Sequence, residues 1–488
     1  MRAAELVSHL AKMAPEVAAW MLCADVAVTG ITADSRTVKP GMIFAALPGA
    51  RFDGRDFIAD AVARGSIAVL APPDTKWPAG VPTRPLLVDS DVRRRLAQIS
   101  AVMAGRMPQK IVAVTGTNGK TSTVDFLRQI LEREGKAAAS LGTLGLIAKN
   151  FRPGTSLTTP DPVLLNETLA RLCAAGFDHV AIEASSHGLD QRRLDGLCLA
   201  AAAFTNLTRD HLDYHRDITS YRLAKLRLFE TILAAGAPAL TMADLEPTTL
   251  AALRDIARRR KLALGTVGLG GDIIRLISVS AVPEGQALVL EVDGALRHIV
   301  LPLAGRFQID NALLAAGLAR EVGVANSVDR LADLAPVRGR LERVAILDHG
   351  ATVYVDYAHT PDALARLLAA LRPHARGRLV VVFGAGGNRD PGKRPLMGAI
   401  ARRDADLAII TDDNPRDEDP ASIRAGIIAS CPGGVEIADR REAIAEGLAM
   451  LRQGDVLVVA GKGHEQGQII GDVVLPFDDA AVIRELVG

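Results

Sequence analysis

A glycine-rich segment carrying one lysine and several hydroxyl side chains could bind the phosphates of a nucleotide. It reads T-G-T-N-G-K-T-S-T, follows an apolar run at residues 111–114 and precedes a helix-compatible stretch at residues 124–134. In that context the glycines let successive backbone N–H groups face an anion, and the start of the helix adds partial positive charge. Lys120 can reach terminal phosphates, and the Thr121 hydroxyl can bind Mg²⁺. The general pattern has a glycine at the position of Val114, so a plain turn is the alternative.

A carboxylate and a second lysine follow further along the chain. Glu183 ends a short apolar run, and a carboxylate at the end of a parallel strand beside a phosphate loop can hold Mg²⁺. A helix N-cap or a salt bridge is the alternative for this residue. Near Lys225, the residues Leu223, Leu226 and Phe229 recur at helical spacing, which predicts that these three face the core. From the sequence alone, Lys225 is expected to be a solvated lysine.

Polar clusters follow four apolar runs in the last third of the chain. The runs are residues 353–355, 379–383, 407–410 and 456–460. The clusters directly after them are residues 356–359, 384–390, 412–416 and 461–465. Strands alternating with helical segments predict a mostly parallel, doubly wound sheet. Because ligands of such sheets bind at the carboxyl ends of the strands, the four clusters predict a ligand site there.

Composition limits the class of protein. The chain has 488 residues, which indicates two to four domains, and 23% of its residues are charged. A formal net charge of +1 argues against a dedicated nucleic-acid binder. No apolar stretch approaches the roughly 18 residues that span a bilayer, and the N-terminus lacks the features of a signal peptide. The cysteines are far apart and are expected to be free thiols of a reducing cytoplasm; they are Cys23, Cys173, Cys198 and Cys431.

Three spellings together identify a resemblance. They are T-G-T-N-G-K-T-S-T at 115–123, T-N-L-T-R-D-H-L-D at 205–213 and D-N-P-R at 413–416. The chain resembles the Mur ligase and folylpolyglutamate synthase superfamily, whose members are ATP-dependent enzymes that form amide bonds. The resemblance implies an α/β fold with three domains: residues 1–90 for a UDP-linked substrate, 91–334 for ATP, and 335–488 for an amino acid. It also implies a central P-loop-type, mostly parallel sheet and a C-terminal Rossmann-like, doubly wound sheet.

The resemblance further implies four groups of site residues. For ATP they are Gly116, Thr117, Asn118, Gly119, Lys120, Thr121, Ser122, Asn206, Arg340, Asp356 and His359. For the UDP-linked substrate they are Ser35, Ala50, Arg51, Phe52, Thr158, Thr159, Ser185, Gln191 and Arg193. For Mg²⁺ they are Thr121, Glu183, His211 and Lys225, the last as a carbamate formed with CO₂; catalysis is assigned to Lys120, Glu183, His211 and Lys225. For diaminopimelate they are Arg389, Asp413, Asn414, Pro415, Arg416, Gly461 and Glu465.

Within the superfamily, the chain is most similar to ligases that add meso-2,6-diaminopimelate to the D-Glu γ-carboxylate of UDP-N-acetylmuramoyl-L-Ala-D-Glu through an acyl phosphate. Arg416 and Arg389 can offer planar donors to the distal carboxylate of that amino acid. Glu465 is the expected partner of its distal ammonium, with help from the Gly461 backbone. The reaction implies three small-molecule substrates, no nucleic acid, no membrane insertion, and a cytoplasmic monomer.

Each alternative function leaves some of these residues without a role. A folylpolyglutamate synthase would not need the Ser35 domain, and a lysine-adding ligase would leave Arg416 unpaired. A P-loop motor or switch ATPase would leave the C-terminal clusters and the Thr158–Thr159 pair unexplained. A catalytically inactive binding protein would not need Lys120 and Lys225 together.

Overall fold

The structure is a computed structural model of the 488-residue chain. It describes residues 1–12, 17, 20, 25–49, 52–151, 157–208, 210, 212–282 and 285–488. The chain divides into two compact units. The first comprises Met1–Ile273 with Leu314–Ser327, and the second comprises Ile274–Leu313 with Val328–Gly488.

A four-stranded parallel sheet opens the first unit, with its strands in chain order. The strands are β1 Gly30–Thr32, β2 Met42–Ala45, β3 Ala68–Ala71 and β4 Leu86–Val88. The helices around it are α1 Ala3–Ala11, α2 Ile58–Ala63 and α3 Val92–Ala104, and the 3₁₀ turns are Ser35–Thr37 and Gly54–Phe57. Leu6, Ile43, Leu70 and Leu96 share one apolar core, so α1 and α3 cover one face of the sheet. Helix α2 packs with Phe44 and Val69 in a second core on the other face.

A larger, mostly parallel sheet forms the rest of the first unit. Its strands are β5 Lys110–Thr115, β6 Ala138–Gly142, β7 Gly145–Ile147, β8 His179–Glu183, β9 Leu199–Phe204, β10 Pro238–Met242 and β11 Ala263–Gly268. They lie in the order β11-β10-β9-β5-β8-β6-β7, and β7 alone of these seven runs antiparallel to its neighbour. The helices are α4 Lys120–Arg133, α5 Pro162–Ala174, α6 Ser186–Asp190, α7 Leu212–His215, α8 Ile218–Arg227 and α9 Pro247–Arg260.

The register of this sheet places three strand ends at one level. Val114 on β5 pairs with Glu183 on β8, and Thr115 pairs with Phe204, the last residue of β9. These strands are parallel, so the segments that follow them leave the same edge of the sheet. The glycine-rich loop, Glu183 and Asn206 are thereby brought to one edge.

The prediction that Leu223 faces the core is wrong. Leu223 is 62% exposed, although Leu226 and Phe229 are buried. The buried stripe of α8 instead contains Lys225, together with Tyr221 and Ala224. The helix changes into a π-helical turn at Leu228–Ile232, in which Leu228 and Phe229 are buried. The expectation of a solvated Lys225 is therefore wrong as well.

An antiparallel meander begins the second unit. Its strands are β12 Ile274–Val282, β13 Gly285–Val292 and β14 Ala295–Leu301. Helix α10, Arg306–Glu321, follows and carries the chain from the second unit back into the first. A 3₁₀ turn at Asp329–Asp333 precedes the last sheet.

The C-terminal sheet confirms the predicted doubly wound architecture. Its strands are β15 Glu342–Ile346, β16 Thr352–Asp356, β17 Leu379–Phe383, β18 Leu407–Ile410, β19 Val435–Glu436 and β20 Val456–Ala460. They lie in the order β15-β16-β20-β17-β18-β19, with β15 antiparallel. Val381 and Val458 enter one apolar core while Val382 and Val459 enter another, so both faces of the sheet are covered.

Helices and one hairpin complete the second unit. The helices are α11 Pro361–Leu371, α12 Lys393–Asp404, α13 Pro420–Ile428, α14 Arg440–Ala449 and α15 Asp479–Val487. The first three pack in one core and the last two in the other. The hairpin consists of β21 Gly467–Ile470 and β22 Val473–Pro476. Within the described ranges, no helix combines the length and apolarity that crossing a membrane requires.

Candidate functional site

The glycine-rich loop after β5 has the geometry of a phosphate-binding loop. Gly116 and Gly119 have φ values of 142° and 84°, which L side chains rarely adopt. A Cβ on Gly116 would lie 1.8 Å from Thr205 Oγ1, so the close approach also excludes a larger residue. Helix α4 begins at Lys120, four residues before the predicted start, so its N-terminus follows the loop directly.

Hydrogen bonds join this loop to the segment after β9. The backbone N–H of Asn118 donates to Asn206 Oδ1 at 3.0 Å, and Asn206 Nδ2 donates back to the Asn118 carbonyl at 3.2 Å. The N–H of Thr117 donates to the Asn206 carbonyl at 2.8 Å, and Thr205 Oγ1 donates to the Asn118 carbonyl at 2.6 Å. The structure thus brings Asn206 to the loop residues with which the sequence grouped it.

Two lysines converge on one backbone oxygen of the loop. Lys120 Nζ donates to the carbonyls of Gly116 and Thr117 at 2.9 and 2.8 Å, and Lys225 Nζ donates to the Gly116 carbonyl at 2.6 Å. Lys225 is 1% exposed and its amine lies 4.4 Å from the centre of the Tyr221 ring. Burial lowers the pKa of Lys225 well below that of an ordinary lysine, and the charge of Lys120 lowers it further. Because its pKa is lowered, a larger fraction of the Lys225 amine is neutral than in an ordinary lysine at the same pH.

Glu183 presents a buried carboxylate at the same edge of the sheet. Its Oε1 accepts the backbone N–H of Thr143 at 2.7 Å, and its Oε2 accepts the Thr143 hydroxyl at 3.2 Å. The Thr143 and Thr158 hydroxyls are 3.1 Å apart. A Cβ on Gly142 would lie 2.0 Å from Glu183 Oε1, so this glycine makes room for the carboxylate. Together with the Thr121 hydroxyl after the neighbouring strand, these oxygen donors suit a hard divalent cation such as Mg²⁺.

The residues predicted to contact a substrate peptide form one hydrogen-bonded group. Thr159 Oγ1 donates to the Glu183 carbonyl at 2.7 Å and accepts the backbone N–H of Ser185 at 3.0 Å. Arg193 donates to the Thr159 carbonyl at 2.5 Å and to Gln191 Oε1 at 2.8 Å. The structure therefore links this group to the strand that carries Glu183.

The predicted residues of the N-terminal sheet are less connected. Ser35 is buried in the 3₁₀ turn after β1, and Phe52 is 74% exposed. No hydrogen bond among the described residues joins the two. Ala50, Arg51 and His211 lie outside the described residues.

Arg340, Asp356 and His359 lie at the carboxyl end of β16 in the second unit. The two carboxylate oxygens of Asp356 accept the N–H groups of Leu341 and Ala358 at 2.7 and 2.8 Å. Burial raises the pKa of Asp356, and Arg340 opposes that rise. The Arg340 guanidinium lies 4.6 Å from the centre of the Tyr357 ring, and the Tyr357 carbonyl accepts His359 Nδ1 at 2.9 Å. Within the described residues, the buried Nε of Arg340 has no hydrogen-bond partner, which leaves a donor available for a ligand.

The loops after β18 and β20 meet in a second cluster. Asn414 Nδ2 donates to Glu465 Oε2 at 2.9 Å, and Asp413 is 6% exposed. A Cβ on Gly461 would lie 2.5 Å from Asp413 Oδ2, so the backbone of the second loop closely approaches the carboxylate of the first. Beneath them, the fully buried Arg440 donates to Asp479 at 2.7 and 2.8 Å. It also donates to the carbonyls of Asp412 and Ala460, the residues just before the two loops.

Two arginines border a third loop, the one after β17. Arg416 has a φ of +51°, and its Nη1 donates to the Gly387 carbonyl at 2.8 Å. A Cβ on Gly386 would lie 2.9 Å from Arg416 Nη1 and 3.9 Å from Arg389 Cγ, so both side chains flank this glycine. Arg389 is exposed. A Cβ on Gly387 would lie 1.9 Å from the Pro415 carbonyl, so the loop needs glycine here to pack against 413–416.

Sequence reasoning missed three residues of these clusters. Thr143 supplies two donors to Glu183, Tyr357 stacks under Arg340, and Lys462 is fully buried between the second-unit loops. Thr143 follows the end of β6 and Tyr357 follows the end of β16, so position at a strand end was an available signal. Lys462 lies in a polar run that does not indicate which member points inward.

The first unit has a phosphate-type loop with two lysines and a buried carboxylate, and the doubly wound C-terminal sheet ends in charged loops. These features are typical of a nucleotide-dependent α/β enzyme. Matches to protein-family profiles identify the family within this class. The profile described as Mur ligase family, catalytic domain, matches residues 27–109. The profiles for the Mur ligase middle domain and for the Mur ligase glutamate ligase domain match residues 114–319 and 339–463. The chain belongs to the Mur ligase family.

Relatives and solved structures agree with this family. The chain is 52% identical over 467 residues to a UDP-N-acetylmuramoyl-L-alanyl-D-glutamate–2,6-diaminopimelate ligase of Caulobacter vibrioides, covering 94% of this chain and 95% of the relative. It is 50% identical over 480 residues to the ligase of that name from Rhizobium meliloti, covering 97% of each. A solved structure of a ligase of that name is 34% identical, with a TM-score of 0.71 over 94% of both chains.

More distant structures share the fold alone. The MurF ligase of Thermotoga maritima in complex with ADP is 19% identical, with a TM-score of 0.62 over 94% of this chain and 97% of that one. A folylpolyglutamate synthase of Mycobacterium tuberculosis complexed with ADP and AMPPCP is 19% identical, with a TM-score of 0.63 over 81% of this chain and 95% of that one. The predicted fold class, with its mostly parallel central sheet and Rossmann-like C-terminal sheet, is confirmed.

Proposed function

We propose that this chain is the ATP-dependent ligase that joins meso-2,6-diaminopimelate to the D-Glu γ-carboxylate of UDP-N-acetylmuramoyl-L-Ala-D-Glu in peptidoglycan precursor synthesis. The observation that carries the proposal is the cluster of Asn414, Arg416 and Glu465. The Asn414 amide contacts the Glu465 carboxylate, and Arg416 follows Asn414 by two residues in the same loop, on a chain half identical to ligases named for diaminopimelate.

The proposed nucleotide site uses backbone donors and charged side chains. Residues 116–122 would hold the phosphates of ATP through N–H groups at the start of α4, with Lys120 adding positive charge. In the structure Lys120 Nζ donates to the carbonyls of Gly116 and Thr117, and those bonds can be exchanged for bonds to phosphate oxygens. Asn206, Arg340, Asp356 and His359 are the further side chains that would contact ATP.

The metal site and the modified lysine are further parts of the proposal. Thr121, Glu183 and His211 would hold Mg²⁺, which when bound supplies positive charge against the phosphates. Lys225 Nζ would form a bond to the carbon of CO₂ and release a proton, which turns the side chain into an anionic carbamate. This step needs the neutral amine, and the lowered pKa of Lys225 favours it.

The reaction then follows from positioning. The γ-carboxylate of D-Glu attacks the γ-phosphorus of ATP, an acyl phosphate forms and ADP leaves. The neutral amine of diaminopimelate next attacks the acyl carbon and releases a proton, an amide bond forms, and phosphate leaves with the electron pair of the broken C–O bond. The hydrogen-bonded group of Thr159, Ser185 and Arg193 would orient the peptide end of the UDP-linked substrate. Thr158 and Gln191 would join it, with Ser35, Ala50, Arg51 and Phe52 toward the UDP end.

The amino-acid site would read both ends of the distal head group of diaminopimelate. Arg416 and Arg389 would bind its carboxylate, and Arg416 is held in place by the Gly387 carbonyl. Glu465 would bind its ammonium beside Asn414, with Asp413, Pro415 and the Gly461 backbone shaping the loops. Lysine lacks the distal carboxylate and would leave the arginines unpaired.

We also propose the setting of this reaction. Residues 1–90, 91–334 and 335–488 would act as modules for the UDP-linked substrate, ATP and the amino acid. The chain would work as a monomer in the cytoplasm, where ATP and UDP-linked precursors are made.

An amino-acid panel in a ligation assay tests the proposal. Purified protein is given ATP, Mg²⁺, the UDP-linked dipeptide and one amino acid, and both phosphate and product are measured. We expect product with meso-diaminopimelate, little with L-lysine or L-glutamate, and phosphate release only when dipeptide and amine are both present. A preference for lysine would refute the assigned substrate, and brisk ATP hydrolysis without the amine would favour a motor ATPase.

A further inference from the structure

Lys462, on the loop after β20, is a buried lysine with no role in the reaction proposed above. Its side chain is 0% exposed, and a buried ammonium is costly unless its donors are satisfied. Its Nζ donates to Asn414 Oδ1 at 2.8 Å and to the Gly467 carbonyl at 2.7 Å. The amine thus contacts the loop after β18 and strand β21 while belonging to a third segment.

The first consequence concerns the orientation of the Asn414 amide. Its Oδ1 accepts from Lys462 Nζ and also from the backbone N–H of Ile469 at 3.0 Å. Both partners can only donate, so an amide turned by 180° would set its NH₂ group against two donors. Nδ2 must therefore face Glu465 Oε2, where it donates at 2.9 Å. Lys462 in this way determines which group Glu465 meets.

The second consequence concerns charge. Lys462 Nζ lies 3.7 Å from Asp413 Oδ1 and 3.8 Å from Glu465 Oε2, beyond direct hydrogen bonding to either. It is a positive charge between two carboxylates, which reduces their mutual repulsion across the loops. Glu465 can then stay close to Asn414 with its second oxygen available for a ligand.

The third consequence concerns strand β21. Lys462 holds the Gly467 carbonyl at its start, and the same strand is bonded to the backbone of Arg416. Arg416 N–H donates to the Ile469 carbonyl at 3.0 Å, and Gly471 N–H donates to the Arg416 carbonyl at 2.8 Å. These bonds fix the backbone of Arg416 in its left-handed conformation.

We propose that Lys462 is a positioning residue for the amino-acid site, which sets Asn414 and Glu465 in the orientation that binds the distal ammonium of a diamino dicarboxylate. The inference rests on the proposed function and deepens it. Lys462 is buried behind these side chains and acts through them.

The test compares two substrates that differ only in the distal amine. The full chain is assayed with meso-diaminopimelate and with L-2-aminopimelate, which keeps the distal carboxylate and lacks that amine. The readout is the ratio of their kcat/KM values, which does not depend on how much of the enzyme is active. We expect Lys462→Met to lower this ratio about tenfold, because the ammonium contact is lost for one substrate only. The KM for ATP should not change.

A second variant and a matched control complete the design. Lys462→Gln keeps a donor without the charge and should lower the ratio by a smaller factor. Asp455→Asn removes a buried carboxylate that pairs with Arg378 at 2.7 Å, next to the opposite end of β20. It should reduce thermal stability and leave the ratio at the wild-type value.

The outcomes separate the two proposals. A wild-type preference for diaminopimelate that persists in Lys462→Met overturns the positioning role alone. If that variant does not fold, a wild-type ratio in Lys462→Gln overturns it equally. A wild-type enzyme that does not use diaminopimelate overturns the proposed function and this inference with it.

Discussion

The phosphate-type loop of the first unit and the cluster around Asn414 in the second use different chemical groups. The first depends on backbone groups and the second on side chains. Around Gly116 and Gly119 the proposed donors to phosphate are backbone N–H groups at the start of α4, and the side chains of Thr205 and Asn206 brace the loop. Around Asn414 the proposed site consists of side chains in contact with one another, since the Asn414 amide bonds to both Lys462 and Glu465. Backbone donors are the same whatever the sequence, so the first kind of site suits a nucleotide shared by many enzymes. The second kind can be changed residue by residue and suits a particular amino acid.

Substitution of Gly116 is expected to cause the largest loss of activity and tests the role of the backbone in the first region. Gly116→Ala should lower ligation by about three orders of magnitude, because a methyl group would lie 1.8 Å from Thr205 Oγ1 and the loop would have to move. Steady-state ligation and nucleotide binding by calorimetry measure the effect. Gly135→Ala is the matched control, since Gly135 also has a positive φ, of 72°, but nothing lies within 4 Å of its Cβ position. Normal ATP binding by Gly116→Ala would show that the loop does not depend on close backbone approach.

Lys225→Ala should have the next largest effect, a loss of about 100-fold or more, since the side chain is buried against the loop. Added bicarbonate should not restore activity, whereas it should reactivate wild-type enzyme that has been stripped of CO₂. Lys136→Ala, which changes an exposed lysine, serves as the control and should retain activity. Full activity of Lys225→Ala would refute the carbamate.

The pH dependence of that reactivation follows from the lowered pKa of Lys225. Burial favours the neutral amine, so at fixed dissolved CO₂ the reactivation rate should rise with pH and level off below 10.5, the pKa of an ordinary lysine. The protonated amine cannot react, which explains the loss of rate on the acidic side. A rate that keeps rising through the ordinary lysine pKa would mean that the reacting amine is solvated.

Arg416→Ala should have the smallest effect of the three, because it removes one side chain from a site made of several. We expect kcat/KM for meso-diaminopimelate to fall about 30-fold, the order of a lost charge-assisted contact, while the KM for ATP stays constant. Arg366→Ala, on the exposed face of α11, is the control. An unchanged KM for diaminopimelate would remove the specificity argument and favour a lysine-adding ligase.

The two regions also differ in how well sequence predicts them. The apolar runs 379–383, 407–410 and 456–460 coincide with β17, β18 and β20, because strands buried on both faces are continuous apolar runs with clear ends. Helix α4 begins earlier than predicted because its first turn, Lys120–Thr123 in sequence, is polar and has no apolar period. Placement of the loop after β5 needed only glycine spacing and the strand before it.

Side-chain orientation was harder to predict. Leu223 and Lys225 exchanged their expected environments, because the buried stripe of α8 follows Tyr221, Ala224 and Lys225 and leaves Leu223 on the opposite side of the helix. Lys462 could not be assigned from its polar run, because its burial depends on contacts with Asn414 and Gly467, far away in sequence or across a loop. The roles of the site residues stay predictions that the substitutions above can test.

The buried pair of Arg440 and Asp479 has a consequence for biosynthesis. Asp479 is the first residue of α15. Arg440 donates hydrogen bonds to the carbonyls of Asp412 and Ala460, which directly precede Asp413 and Gly461. A nascent chain that has emerged only as far as residue 478 would leave the Arg440 guanidinium without its counter-ion, beneath loops that are already synthesised. Assembly of the loops that contain Asp413 and Gly461 is therefore expected to wait for α15, and in the proposed function the nucleotide site would form before the amino-acid site.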